Sequence, residues 1–289
     1  MNFQYMKINK SDNIPRFPEF ELYFSSNESQ LLHYYEPELG LFVVESPMVI
    51  ERALAAGYEP VSFVMIDSLA DEMCKRFDTL IHTSEEAYNN SNSKNIPVYL
   101  ADYDTLAEMT GVNITRGVLS LMKRKMLPDM SELLKDYKRI AVFDDVENPT
   151  NVGAMFRSAA ALGIEAVLLA GSSSDPLYRR ASRVSVGTVF SIPWTKTGKR
   201  ITDSEYINTL HSLGFKTAAM ALSDNSVSIR DERLKKEEKL AIILGNEGFG
   251  LSDTVISESD YVVKIPMKHN VDSLNVAAAS SIVFWELMS

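Results

Sequence analysis

Three short polar stretches in the second half of this 289-residue chain hold the side chains best suited to chemistry. The first is "DDVENPTNVGAMFRS", which contains Asn151 and Arg157. Asn148-Pro149 marks a turn, Thr150 or Asn151 suits a helix cap, and Gly153 lets another group approach the helix start closely. Free backbone N–H groups plus one guanidinium suit an anion or a polar ligand. The same residues also read as a capped helix with a surface arginine.

The second stretch is "ILGNEGFGLSD", with Gly245, Gly248 and Gly250 after an apolar run. Its glycines lack the G-x-G-x-x-G order of a dinucleotide loop, and no Gly-Lys-Ser/Thr follows them. A nicotinamide-dependent dehydrogenase fails for want of the glycine fingerprint, and the stretch is not a Walker phosphate loop. Glu247 would repel a phosphate and suits a cationic or hydroxyl-bearing ligand. The alternative is an ordinary glycine turn with Glu247 capping a helix near Ser252. The third stretch is "IPMKHNVDSLNVAAAS", Ile265 to Ser280. Pro266 stops strand pairing, so the freed backbone can read an adenine edge. Asp272 or Ser273 suits the next helix cap. Ala277, Ala278, Ala279, Ser280 and Ser281 then give a face with almost no bulk, which admits a ligand or another backbone, or packs as an internal helix.

These stretches need a frame that brings strand ends together. The second half supplies one in the alternation of apolar runs "RIAVFDDV", "IEAVLLAG", "TVFSIPW", "FKTAAMAL", "KLAIILG" and "YVVKIPM" with helical segments. Near-continuous apolar strands alternating with helices predict a parallel sheet covered on both faces. In such sheets ligands bind at the carboxyl ends of the strands. The first half alternates more loosely. Apolar runs at Leu41–Val44, Val61–Ile66 and "IPVYLA" are interleaved with helical patterns, which predicts a smaller α/β domain. The organisation read from this is an irregular arm over 1–30, a domain over 31–125, a linker over 126–137 and a second domain over 138–289.

Net charge is −10, and 45% of residues are hydrophobic. Through residue 136 there are 12 Lys/Arg against 21 Asp/Glu, and after it 17 against 18. A global positive field for nucleic acid is absent, so contact with RNA must come from local clusters. Candidates are Arg179, Arg180 and Arg183, spaced for one helix face after Asp175-Pro176; Lys123, Arg124 and Lys125; and Lys196, Lys199 and Arg200. Each also reads as a solvated face. One cysteine, Cys74, allows no intrachain disulfide, no Cys/His grouping suggests a metal, and no run is long enough to span a membrane. A cytoplasmic protein without a signal peptide is the expectation.

Taken together, "ENPTNVGAMFRSAAALG", "LGNEGFGLS" and "IPMKHNVDSLNVAAA" resemble the three ordered motifs of SpoU-type (TrmH-like) 2′-O-ribose RNA methyltransferases of the SPOUT class. "DPLYRRASRVSVGTVFSIPW" resembles the segment that connects the first two motifs, and "GLFVVESPMVIERAL" resembles part of the family's ribosomal-protein-like N-terminal domain. The resemblance implies a C-terminal domain with a deep trefoil knot, a homodimer through that domain, and S-adenosylmethionine held mainly by backbone. The matching cofactor positions are Leu244, Gly245, Asn246, Gly248, Ile265, Met267, Ser273 and Leu274. It implies catalytic roles for Arg157, Asn151, Glu247, Ser273 and Asn275. A guanidinium is not deprotonated in proteins, so Arg157 is read as an orienter of ribose or phosphate, not as a base. Where the family carries aspartate before the first-motif proline, this chain has Asn148. The implied activity is ribose 2′-O-methylation of RNA, ribosomal RNA by analogy. A transfer-RNA methylase, an antibiotic-resistance methylase and a catalytically inactive ribosome-assembly protein are the alternatives.

Overall fold

The structure, a computed structural model, describes residues 3–8, 22–23, 40–85, 95–110, 116–198, 201–223, 225–269 and 272–288, with the side chains of 82–85 and 108–110 left aside. Lys199 and Arg200 lie outside the described residues. The chain forms two compact units: Met1–Met126 with Leu177–Phe190, and Leu127–Pro176 with Ser191–Ser289.

In the first unit a five-stranded sheet holds β1 (Phe3–Lys7), β2 (Leu41–Glu45), β3 (Pro60–Ile66), β4 (Ile96–Ala101) and β5 (Val118–Lys123), in the order β1-β4-β3-β5-β2. The pairs β1–β4 and β3–β4 are parallel, while β3–β5 and β2–β5 are antiparallel. Helices α1 (Pro47–Ala55), α2 (Ala70–Glu85) and α3 (Tyr103–Thr110) connect the strands. The arm expected over 1–30 is not irregular throughout, because residues 3–7 add an edge strand. The sheet is locked by Tyr23, whose hydroxyl donates to the Ser62 carbonyl at 2.7 Å and accepts from Leu121 N–H at 2.7 Å.

The second unit begins with the short helix α4 (Met130–Leu134). Its sheet holds β6 (Arg139–Asp144), β7 (Ala166–Ala170), β8 (Trp194–Lys196), β9 (Lys216–Met220), β10 (Val227–Ser228), β11 (Leu240–Leu244) and β12 (Tyr261–Lys264). The order is β10-β12-β9-β11-β6-β7-β8 with every neighbouring pair parallel. The apolar runs became strands because both sheet faces are covered. Residues such as Val142, Leu168, Ile207, Leu210, Ala241 and Ile243 make one continuous core. Helices α5 (Pro149–Ala161), α7 (Asp203–Ser212), α8 (Glu232–Lys236), α9 (Asp253–Glu258) and α10 (Val276–Met288) supply the covering layers; α6 (Arg179–Val184) belongs to the first unit.

Two expected elements differ. "TVFSIPW" is not a strand from Thr188; residues 188–190 form a 3-10 turn and β8 starts at Trp194. Pro193 has no N–H for the ladder, so pairing begins just after it. The helix expected from Asp175-Pro176 starts only at Arg179, because buried Asp175 is committed to the Lys196 ammonium at 2.7 Å. The sequence reading placed 177–190 in the second domain, whereas their packing joins them to the first unit. The alanine-rich stretch forms α10, whose Val276, Ser280, Val283 and Leu287 are buried as one stripe. Its small residues let α5 come close, and Ser281 Oγ lies 2.7 Å from Ser158 Oγ. Among the described residues no helix is long and apolar enough to cross a membrane.

Candidate functional site

Because all strands of the second sheet run one way, the loops after β6, β11 and β12 leave from the same edge. Strands β6 and β11 are direct neighbours, with Leu244 opposite Phe143, so the first two polar stretches meet there.

The cap of α5 is Asn148, whose side chain accepts from Thr150 N–H at 2.9 Å; Thr150 and Asn151, expected as caps, are not used this way. Pro149 takes the first helical position, where its missing N–H costs nothing, and the cap therefore falls one residue earlier. Asn151 is left for another task. Its Nδ2 donates to Glu247 Oε1, and its Oδ1 accepts from Asn275 Nδ2 at 3.2 Å. One side chain from each of the three stretches thus enters a single hydrogen-bonded chain. Glu247 does not cap the helix after it, since Ser252 accepts from Val255 N–H itself. Nor do Asp272 or Ser273 cap α10. Asn275 does, accepting from Ala277 N–H at 3.0 Å, so both ends of its amide are fixed.

The glycine loop is a tight structure. Asn246 and Gly250 exchange backbone hydrogen bonds of 3.2 and 3.0 Å. Asn246 Oδ1 accepts from Gly248 N–H at 2.7 Å and Phe249 N–H at 3.1 Å, while its Nδ2 donates to the Asp145 carbonyl at 2.9 Å. At Gly245 a Cβ would lie 2.7 Å from the Gly250 carbonyl carbon, so only glycine permits this closure.

Beside the loop lies a cleft of about 350 Å³. All eight expected cofactor positions line it, as does Glu247: Leu244, Gly245, Asn246, Gly248, Ile265, Met267, Ser273 and Leu274. Its other wall was not anticipated. Met220, Ala221 and Leu222, at and beyond the end of β9, also line it; the only signal was an apolar run ending next to a parallel neighbour. The volume is that of a small-ligand site. Backbone beyond Lys264, where β12 ends, offers polar edges, the side chains give apolar walls, and Asp272 and Ser273 supply polar groups. This donor set fits an adenosyl group with an amino-acid tail. Among the described residues no cluster of three His, Cys, Asp or Glu suits a metal.

Arg157 stands apart from the hydrogen-bonded chain. It lies six residues beyond Asn151 on α5, about 9 Å along the axis. It is exposed and forms no hydrogen bond or ion pair among the described residues. Behind the loops, Asp144 ends β6 at 4% exposure. Burial pushes its carboxyl up to about 6 against the opposing hydrogen bond from Tyr206, with Asp203 and Asp145 adding repulsion. Tyr206 Oη donates to Asp144 Oδ2 at 2.9 Å, and Oδ1 has no partner. The same burial and the Asp144 charge raise the Tyr206 hydroxyl. Sequence reasoning passed over Asp144, though a carboxylate directly after "IAVF" was the visible sign.

The basic clusters are largely engaged. Within the first unit Arg179 and Arg183 both reach the buried Glu45 carboxylate, at 2.9 and 3.3 Å. Lys123 pairs with Glu59 at 3.1 Å, and Arg124 donates to the Leu41 carbonyl at 3.2 Å. Arg180 is exposed.

A parallel sheet with a cleft at its carboxyl edge, walled by segments that follow β9, β11 and β12, defines an α/β protein with a small-ligand cleft at strand ends. The SpoU rRNA methylase family profile matches residues 138–285, and the chain belongs to that family. Over 247 residues the chain is 30% identical to an uncharacterized tRNA/rRNA methyltransferase of Mycobacterium bovis, covering 85% of this chain and 80% of that one. In structure it is similar to the AdoMet-bound rRNA methyltransferase of Sinorhizobium meliloti, with TM-score 0.77, 19% identity, and coverage of 98% of this chain and 97% of the other. It is also similar to the SpoU methyltransferase AviRb of Streptomyces viridochromogenes in complex with AdoMet, with TM-score 0.72, 20% identity, and coverage of 94% and 97%. These likenesses establish the α/β fold with its parallel sheet.

Proposed function

We propose that this protein methylates a ribose 2′-hydroxyl of RNA, with S-adenosylmethionine in the cleft of the second unit and ribosomal RNA as substrate. The observation that carries the reading is the hydrogen-bonded chain of Asn275, Asn151 and Glu247 beside a cleft walled by Gly245, Ile265, Met267 and Leu274. Family membership and the cofactor-bound state of two similar structures support it.

The bound cofactor supplies an electrophilic methyl group. What the chain's own residues do is hold and orient. Glu247 fixes Asn151, Asn151 fixes Asn275, and Asn275 is the group placed to orient the hydroxyl, with Ser273 at its side. Positioning of this kind lowers barriers by roughly 7–11 kcal/mol at its best. Arg157, exposed and unspent on the protein, holds the ribose or its phosphate and stabilises the developing alkoxide, while the hydroxyl proton is lost to water.

In the same reading the segment from β12 to α10 is threaded as a trefoil knot. The exposed stripe of Ile282 and Trp285 on α10 meets a second copy, giving a homodimer. The first unit takes the RNA, aided by Arg180, Arg179, Arg183, Lys123 and Arg124, in the cytoplasm.

The test is a map of ribose methylations in RNA from cells with and without the gene, joined to transfer of labelled methyl from S-adenosylmethionine to that RNA by the purified chain. A single missing 2′-O-methyl restored in vitro is the expected result. An unchanged map with no transfer defeats the proposal.

A further inference from the structure

Phe249 is 95% exposed, the highest value among the large hydrophobic side chains of the described residues. A phenyl ring left in water on a mobile loop would mean little. The backbone that carries this one is held, because its N–H is bound by Asn246 Oδ1, the loop is closed by the Asn246–Gly250 pair, and Asn246 is tied to the Asp145 carbonyl. With the loop set before binding, only the side-chain torsions of Phe249 are left to order when the ring is covered.

The position says what covers it. Glu247, two residues earlier, turns its carboxylate to Asn151. The loop therefore sends one side chain to the hydrogen-bonded chain and the next but one to solvent. Two residues span at most about 7 Å, comparable with one nucleotide, so a ribose at Asn151 and Asn275 brings its own or the adjoining base to Phe249. Phe249 itself lines the mouth of the cleft assigned to the cofactor, where Leu222, 57% exposed, and Leu274, 38% exposed, give it an apolar flank. Glu247 and Asp272 carry negative charge there and turn phosphates away, which favours a base on this side over the backbone.

We infer that Phe249 is a stacking platform for an RNA nucleobase beside the methylated ribose. This rests on the proposed function and adds a positioning residue to it. Every base has a π-face, so the platform binds without choosing sequence, and stacking of this kind is lost on alanine substitution at about 1–3 kcal/mol per base.

The experiment uses the full chain, a short fluorescein-labelled single-stranded oligoadenylate followed by anisotropy at low salt, and titration of S-adenosylmethionine by calorimetry. Phe249→Ala should weaken the oligonucleotide roughly 5- to 150-fold, Phe249→Leu should be as weak, and Phe249→Trp should keep wild-type affinity. Because the ring stands at the mouth of the cleft and is 95% exposed, S-adenosylmethionine affinity should stay within a few-fold of wild type and sedimentation should be unchanged in every variant. The inference is overturned if Phe249→Ala stays within about twofold of wild type, or if leucine restores binding, which would mean apolar cover without stacking. It is equally overturned if Phe249→Ala loses the cofactor or shifts the oligomeric state, since the ring would then be a cofactor lid or a subunit contact. Wild-type protein that binds both probes while the variants match it sinks only this inference. Wild-type protein that binds neither sinks the proposed function as well.

Discussion

Asn275 donates its side-chain N–H to the side-chain oxygen of Asn151 across 3.2 Å, although 124 positions separate them in sequence. Asn151 passes its own N–H to Glu247. The chain of donors has one direction and ends on a carboxylate, while the remaining oxygen of Asn275 holds the start of α10. Fixing any one of these side chains therefore fixes the other two, and with them the loops that wall the cleft.

Asn151→Ala should uncouple the three loops. Glu247 and Asn275 each lose a partner, at about 1–3 kcal/mol of stability, while the backbone walls of the cleft stay in place. Methyl transfer should drop by about 10²-fold, the scale seen when one oriented hydrogen-bonding group is removed from a site, with cofactor affinity within a few-fold of wild type. Asn151→Asp should be worse than alanine, because it sets a second carboxylate against Glu247. Parallel calorimetry and methyl-transfer assays on the two variants check this; equal turnover in wild type and Asn151→Ala would remove the positioning role.

Gly245→Ala should act through shape alone. Its Cβ would lie 2.7 Å from the Gly250 carbonyl carbon and 2.8 Å from Leu251 Cδ2, so the loop must open. Overpacking of this kind costs about 1–3 kcal/mol. The expected signature is a lower melting temperature together with lost S-adenosylmethionine binding, whereas Gly248→Ala, whose Cβ meets only Asn246 Oδ1 at 3.4 Å, should keep most of both.

The parallel sheet and the polar stretches at its carboxyl edge were legible in the sequence because strands buried on both faces must be apolar throughout, and polar residues at their ends then stand out. Asn151 and Glu247 lie in stretches found this way, and the motif resemblance gave Asn275 and the cleft wall at Ile265 and Met267. What was hidden depended on partners distant in the chain. Asn148 and not Thr150 caps α5 because proline fixes the first helical position. Asp175 fails to cap because Lys196 takes it, and Arg179 and Arg183 fold back on Glu45, which no helical spacing reveals. The wall at Met220–Leu222 follows from β9 lying beside β11 and β12, a strand order that periodicity does not encode.

Arg180 and Arg183 share a helix but should behave differently toward RNA. Both are exposed, but Arg183 shares the buried Glu45 carboxylate with Arg179, so its guanidinium is partly neutralised while that of Arg180 is not. Arg180→Ala should leave the melting temperature unchanged and reduce the salt slope of RNA binding by about 0.7 for each single-strand phosphate that the guanidinium neutralises in the wild type. Glu45→Gln should instead destabilise the fold by about 2 kcal/mol, less than for a fully buried pair because the Arg183 side chain is 51% exposed. Thermal melts and affinities over a salt series separate the two. A Glu45→Gln protein as stable as wild type would show that the ion pairs hold nothing.

Two carboxylates of the second unit should give opposite pH dependences. Asp260 is pushed up by burial, but hydrogen bonds from Lys216 and Thr217 and the charge of His211 outweigh this and hold it below the ordinary range. Its contribution is present above the unfolded value and lost as pH falls through the folded one. Asp144 runs the other way. Its folded carboxyl sits at about 6 against about 3.9 in the unfolded chain. The folded state keeps this proton up to about pH 6 while the unfolded state releases it near 4. The stability linked to it is fully present below the unfolded value and lost as pH rises through the folded one, on the order of 3 kcal/mol by neutral pH. Asp144→Asn keeps an oxygen for Tyr206 and no longer ionises. It should therefore melt a few degrees higher than wild type at pH 7.5, with the difference fading toward pH 4. If the substitution instead lowers the melting temperature at pH 7.5, the ionised carboxylate is stabilised by a group other than Tyr206, and burial is not what governs its proton.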